Sequence, residues 1–146
     1  MVLTFAGPSS LFTAIVMTKS LTREEFLRTT VYTAIFRDKR RQLTPSERNG
    51  CRIVDSERFL VRVPQAMTRI GDLASKRMTI IDDTVTTGSV MEHLRDYFVQ
   101  RGFLRENIQC VTCVCSHQAW SDPRTRPDVW IFRPKGSYRM PWGDPL

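Results

Sequence analysis

Two adjacent carboxylates, Asp82 and Asp83, stand directly ahead of a run of hydroxyl side chains, Thr84, Thr86, Thr87 and Ser89, with Gly88 among them. The apolar run Met78-Thr79-Ile80-Ile81 precedes them, and an amphipathic stretch follows. A strand that hands over to a helix in this way suits a phosphate. The helix start offers unpaired N–H groups and the positive end of the helix dipole. The hydroxyls add donors, and the glycine lets the backbone come close to an anion. The two acids cannot hold phosphate. They can accept hydrogen bonds from two sugar hydroxyls, or from waters around Mg²⁺. An ordinary capped turn needs one hydroxyl and no acid pair. Neighbouring acids repel each other, so the pair calls for a functional cause. A sugar phosphate satisfies both halves of the pattern.

The elements that must hold these residues follow from periodicity and turn chemistry. Strands are expected at 2–5, 31–36, 59–63, 78–81, 108–115 and 129–132, from their β-branched and aromatic content. Helices are expected at 11–18, in a segment opening at 20–25, at 66–75 and at 90–102. The last is the clearest, with Val90, Leu94, Tyr97, Phe98 and Phe103 near a 3.6 period and Gly102 as its stop. Residues 37–50 are basic and polar and hold Pro45, Asn49 and Gly50, so they are expected to form a flexible loop or hairpin tip. Alternating strands and helices predict an α/β fold, a mainly parallel sheet flanked by helices. Right-handed crossovers would then place the turns at 6–10 and 82–89 on one edge of that sheet.

The 146 residues suffice for a single domain, 1–146. The net charge of +7 favours an anionic partner. Arg37, Lys39, Arg40, Arg41 and Arg48 form one basic group, and Arg124, Arg126, Arg133, Lys135 and Arg139 another. No apolar run approaches the roughly 20 residues of a membrane span. Residues 1–10 carry no basic n-region, so a cytoplasmic protein with no membrane partner is expected. Cys110, Cys113 and Cys115 could suggest zinc, but they lie in an apolar strand pattern. Alternation there puts Cys113, Cys115 and His117 on one face and Cys110 on the other, which does not build a tetrahedral site.

The string Ile80-Ile81-Asp82-Asp83-Thr84-Val85-Thr86-Thr87-Gly88-Ser89 resembles the phosphoribosyl pyrophosphate (PRPP) signature of type I phosphoribosyltransferases. The family's sheet order also fits the pattern from residue 2 to about 118. The resemblance implies that Asp82 and Asp83 hold the ribose, and Mg²⁺ through water. It implies that Thr84, Val85, Thr86, Thr87, Gly88 and Ser89 hold the 5′-phosphate. Gly7, Pro8, Ser9 and Ser10 fall where the family places its pyrophosphate loop. Residues 37–50 fall where a loop closes over the site, so that Lys39, Arg40 or Arg41 could neutralise the leaving pyrophosphate. Residues 119–146 look like a small C-terminal hood. Pro127-Asp128-Val129-Trp130 and Met140-Pro141-Trp142 are similar to the xanthine- and guanine-type branch, where an aromatic side chain stacks on the base. Trp130 and Tyr138 are the two candidates. A homodimer is implied as well.

The sequence also departs from the family. Thr86 stands where 6-oxopurine enzymes carry an Asp, and no Lys occurs near 115–120 to read a 6-oxo group. Val90 replaces a hydroxyl residue at the end of the phosphate loop. The expected activity is Mg²⁺-dependent transfer of ribose 5-phosphate from PRPP to a purine or pyrimidine base. The alternative is a non-catalytic regulator of the same fold that binds PRPP or a nucleotide, and nucleic acid through its basic segments.

Overall fold

A computed structural model describes residues 1–5, 31–38, 51–55 and 59–136. The expectations for 6–30, 39–50 and 137–146 lie outside those residues. They include the loop at Gly7, Pro8, Ser9 and Ser10, the basic residues Lys39, Arg40 and Arg41, and Tyr138.

Among the described residues, seven strands form one sheet in the order β3-β4-β2-β1-β5-β6-β7. They are β1 (Val2–Phe5), β2 (Val31–Asp38), β3 (Cys51–Asp55), β4 (Phe59–Pro64), β5 (Met78–Val85), β6 (Ile108–Cys115) and β7 (Val129–Phe132). The run β2-β1-β5-β6-β7 is parallel throughout, and β4 joins β2 antiparallel with β3 beyond it. The mainly parallel α/β sheet expected from the alternation is therefore present.

Central parallel strands need apolar residues on both faces. β5 and β6 meet that need. Leu3, Ile80 and Cys110 register side by side in the main buried cluster, while Val2, Ile81 and Val111 form a smaller one. Helix α1 (Ser89–Gln100) covers the main cluster with Met91, Leu94 and Phe98. Each such side chain contributes about 1.5–3 kcal/mol by leaving water. Past the end of α1, Gly102 takes φ of 107°. Its N–H bonds to the Val99 carbonyl at 3.0 Å, and the Phe103 N–H bonds to the Phe98 carbonyl at 3.1 Å. That pair of bonds is the Schellman stop, and the Phe98 and Phe103 rings meet edge to face at 5.6 Å. Among the described residues no helix is long and apolar enough to cross a membrane.

Several boundaries differ from expectation. β5 runs on to Val85, so both acids belong to the strand rather than to the turn. β2 reaches Asp38, so 37 and 38 are not part of a loop. β3 was not expected. Among the described residues its five residues pair with β4 alone, and they carry too short an apolar pattern to stand out. The helix expected at 66–75 is instead two 3-10 turns, Gln65–Thr68 and Leu73–Ser75. Gly71 lies between them, and Asp72 takes φ of 54°, a left-handed backbone that a continuous right-handed helix cannot contain. A short helix, α2 (His117–Ser121), follows β6. Cys110 and Cys115 both enter the main cluster, and Cys113 is half-buried. The strict alternation expected for the thiols therefore fails at the end of β6.

Candidate active site

In a parallel sheet the strand ends that lead into helices share one edge. β1 and β5 are neighbours there, with Thr4 in register with Ile81. β4 runs the other way, so its first residue, Phe59, comes to the same edge. A cavity of about 270 Å³ opens at this point. It is lined by Phe59, by the unbroken run Asp82, Asp83, Thr84, Val85, Thr86, Thr87 and Gly88, and by Val90 and Met91 of α1.

Asp82 and Asp83 are half-buried, and the Asp82 carboxylate accepts the Asp83 N–H at 2.9 Å. Thr86 and Thr87 are exposed. The Thr87 hydroxyl oxygen accepts the Ser89 N–H at 3.3 Å and lies 3.4 Å from the Ser89 hydroxyl, while the Glu92 N–H bonds back to the Gly88 carbonyl at 3.1 Å. Thr87 thus caps the first amide of α1, and the Glu92 bond to Gly88 is the first bond of the helix itself. The Val85 side chain does not face a ligand. It is buried in the main cluster, so only its backbone is available.

Gly88, which lines the cavity, is required here for a reason beyond the one expected from the sequence. Its φ is 77°, which disfavours any side chain. A Cβ added there would also lie 2.5 Å from Thr125 Cβ and 2.9 Å from the Thr125 carbonyl carbon. The glycine lets the chain's own 122–128 segment pack onto the turn. The turn is held on its other side by Ser116. That hydroxyl donates to the Thr86 carbonyl and also accepts the Ala119 N–H at 3.1 Å, which caps α2. The Ser116 N–H adds a bond to the Val85 carbonyl at 2.9 Å.

A second cavity, of about 250 Å³, borders the first through Thr86. Ser116, His117, Gln118, Pro134, Lys135 and Gly136 complete it. No Lys stands near 115–120 in sequence, yet Lys135 comes to those residues in space. Trp130 sits on the edge strand β7 and lines neither cavity. Trp120 was not singled out in the sequence. Its ring lies under the guanidinium of Arg133 at 4.0 Å and near that of Arg126 at 5.8 Å. Arg124 pairs with Asp122 at 3.2 Å and with Glu92 at 3.7 Å, and its backbone N–H first, then its guanidinium, hold the Asp122 carboxyl below the usual carboxylate range. Much of the C-terminal basic group is therefore engaged within the fold. Burial pushes the Cys110 thiol up to about 12, so it is no nucleophile at neutral pH.

No family model matches the chain, and no curated protein sequence matches it either. Solved structures do. A purine phosphoribosyltransferase from Pyrococcus horikoshii Ot3 aligns over 98% of this chain and 76% of its own, at 16% identity and TM-score 0.60. An APRTase from Giardia lamblia, complexed with 9-deazaadenine, aligns over 92% of this chain and 70% of its own, at 12% identity and TM-score 0.57. A hypoxanthine phosphoribosyltransferase from Trypanosoma cruzi, in complex with the product IMP, aligns over 94% and 62%, at 10% identity and TM-score 0.57. The chain has the type I phosphoribosyltransferase fold.

Proposed function

We propose that this chain transfers ribose 5-phosphate from PRPP to a nitrogenous base and releases pyrophosphate. One observation carries the reading. The unbroken run from Asp82 to Gly88 lines a cavity at the N-terminus of α1, and a second cavity adjoins it through Thr86.

The first cavity would take the ribose phosphate. Amides at the start of α1, with the hydroxyls of Thr84, Thr86 and Thr87, receive the 5′-phosphate; Ser89, expected beside them, is buried off the cavity wall and bonded to Thr87. Asp82 and Asp83 accept hydrogen bonds from the ribose hydroxyls and fix the sugar as positive character grows at C1. The second cavity would take the base, with Lys135, Gln118 and His117 as its polar groups. Lys135 supplies a donor for an exocyclic oxygen, the role for which no lysine stands at 115–120. In the reaction the C1–O bond to pyrophosphate breaks, a C1–N bond to the base forms, and the proton of that base nitrogen leaves with the pyrophosphate. No covalent nucleophile is needed.

Mg²⁺ fits this donor set. The ion keeps several waters and uses one or two carboxylates beside substrate phosphates, and the two aspartates offer that much. When bound it would supply charge neutralisation for pyrophosphate.

The alternative, a regulator of the same fold with a nucleic-acid partner, would have to use the basic residues at 39–48, which lie outside the described residues, beside a C-terminal group in which Arg124 is paired and Arg126 and Arg133 lie over Trp120. Calorimetry with PRPP and Mg²⁺, followed by a pyrophosphate-release assay over a panel of bases, tests the proposal. Saturable binding at one site and base-dependent release are expected. Absence of both refutes it.

A further inference from the structure

The segment 122–128 packs onto the turn at Gly88, yet it has almost no core of its own. Of its seven residues only Pro127 is buried. Hydrophobic burial therefore does not hold it in place. Polar contacts do: of the six hydrogen bonds that tie it to the rest of the chain among the described residues, three come from one side chain, two from the Cys110 main chain and one from the Ala119 carbonyl. Arg95 of α1 is 2% exposed and heads the fully buried side chains in size. Its Nη1 donates to the Arg126 carbonyl at 3.2 Å and to the Arg124 carbonyl at 3.4 Å. Its Nη2 donates to the Asp128 carboxylate, which also accepts the Cys110 N–H at 2.6 Å. The two carbonyls flank Thr125, the residue whose backbone abuts Gly88.

This is a costly arrangement. Arg95 stands among Met91, Leu94 and Phe98 on the covered side of α1, where an apolar residue would serve packing better. Its Nε has no hydrogen-bond partner among the described residues, so the guanidinium is not fully satisfied. A helix that needed only to cover the sheet would not carry it.

We propose that Arg95 is a positioning residue for the phosphate loop. Its buried guanidinium clamps the main chain of 124–128, and Thr125 transmits that constraint to Gly88 and so to the amides at the start of α1. The inference rests on the proposal that residues 84–89 receive the phosphate of PRPP.

The test uses Arg95→Met, which keeps an unbranched apolar stem and removes the guanidinium donors. Hydrogen exchange of the loop amides is followed in the unliganded protein, and PRPP with Mg²⁺ is titrated by calorimetry. The variant is expected to unfold cooperatively, with exchange at 86–90 and 124–128 about tenfold faster and exchange in β5 and β6 unchanged. Its Kd for PRPP is expected to weaken about tenfold. Arg95→Lys, with one compact donor group, should fall between the two proteins. Unchanged exchange at 86–90 overturns the clamp, and so does faster exchange with an unaltered Kd. A purely structural role would instead raise exchange throughout and leave the Kd of the folded protein as it was. If the native protein binds no PRPP, the proposed function fails while loop exchange still decides the clamp. Should Arg95→Met not fold, Asp128→Asn withdraws the carboxylate's charge and is judged by the same two measurements.

Discussion

Strands β5 and β6 have a cavity at each end, and the two cavities differ in kind. The one at the start of the strands is larger, about 550 Å³, and is lined by Arg77, Arg105, Glu106, Asn107 and Asp128 among others. The one at the end of β5 is about 270 Å³. Size and charge would favour the first. Yet Arg77, Arg105 and Glu106 are exposed side chains outside the strands. Its aspartate, Asp128, is turned inward to Arg95 and the Cys110 amide. The smaller cavity is walled by a strand end, a helix start and a turn pinned from two sides. Preorganised donors hold an anion without being ordered at the moment of binding, and mobile side chains do not. Fixed geometry, more than volume or formal charge, distinguishes the end of the sheet that can do chemistry.

That contrast can be broken in graded steps. Gly88→Ala is expected to have the largest effect. The left-handed backbone alone costs about 1–2 kcal/mol, and the contact with Thr125 adds to it. A Tm lowered by roughly 10 °C or more, read by thermal unfolding, is the expected result. A variant that melts like the native chain would show that the turn is not pinned there. Asp83→Asn keeps the shape and removes a charged acceptor, with a loss of about 1.5–3 kcal/mol in PRPP binding, or roughly 10–100-fold in Kd. Unaltered affinity in calorimetry would detach the acids from the sugar. Ser116→Ala removes both the α2 cap and the bond to the Thr86 carbonyl, and should cost about 1–2 kcal/mol of stability in denaturant unfolding. Arg77→Ala with Arg105→Ala, at the other end of the strands, should change PRPP affinity by less than about twofold, since exposed charges of this sort contribute within ~0.5 kcal/mol. A strong loss there would reverse the comparison.

Much of this was legible from local pattern. The apolar runs at 78–81 and 108–115, the amphipathic stretch with Gly102 at its end and the acid–hydroxyl string 82–89 all lie within short windows. Their backbone consequences follow from nearest neighbours. Harder to see were elements whose identity depends on a partner. β3 exists by pairing with β4. Phe59 reaches the site because its strand runs antiparallel to the rest. Lys135 meets residues 116–118 only after the chain has passed through β7.

The sequence by itself determined that a strand carrying two aspartates would pass into a hydroxyl-rich turn and a helix, because propensity, capping and periodicity act over a few residues. Tertiary structure alone decided what holds that turn in shape. Ser116 reaches it across 30 positions, and Arg95 reaches Asp128 across 33. It also gave Gly88 its reason, which is the main chain of Thr125 lying where a side chain would be. Contacts of that length have no period and no local signature. They arise where two segments meet, and only the folded sheet brings those segments together.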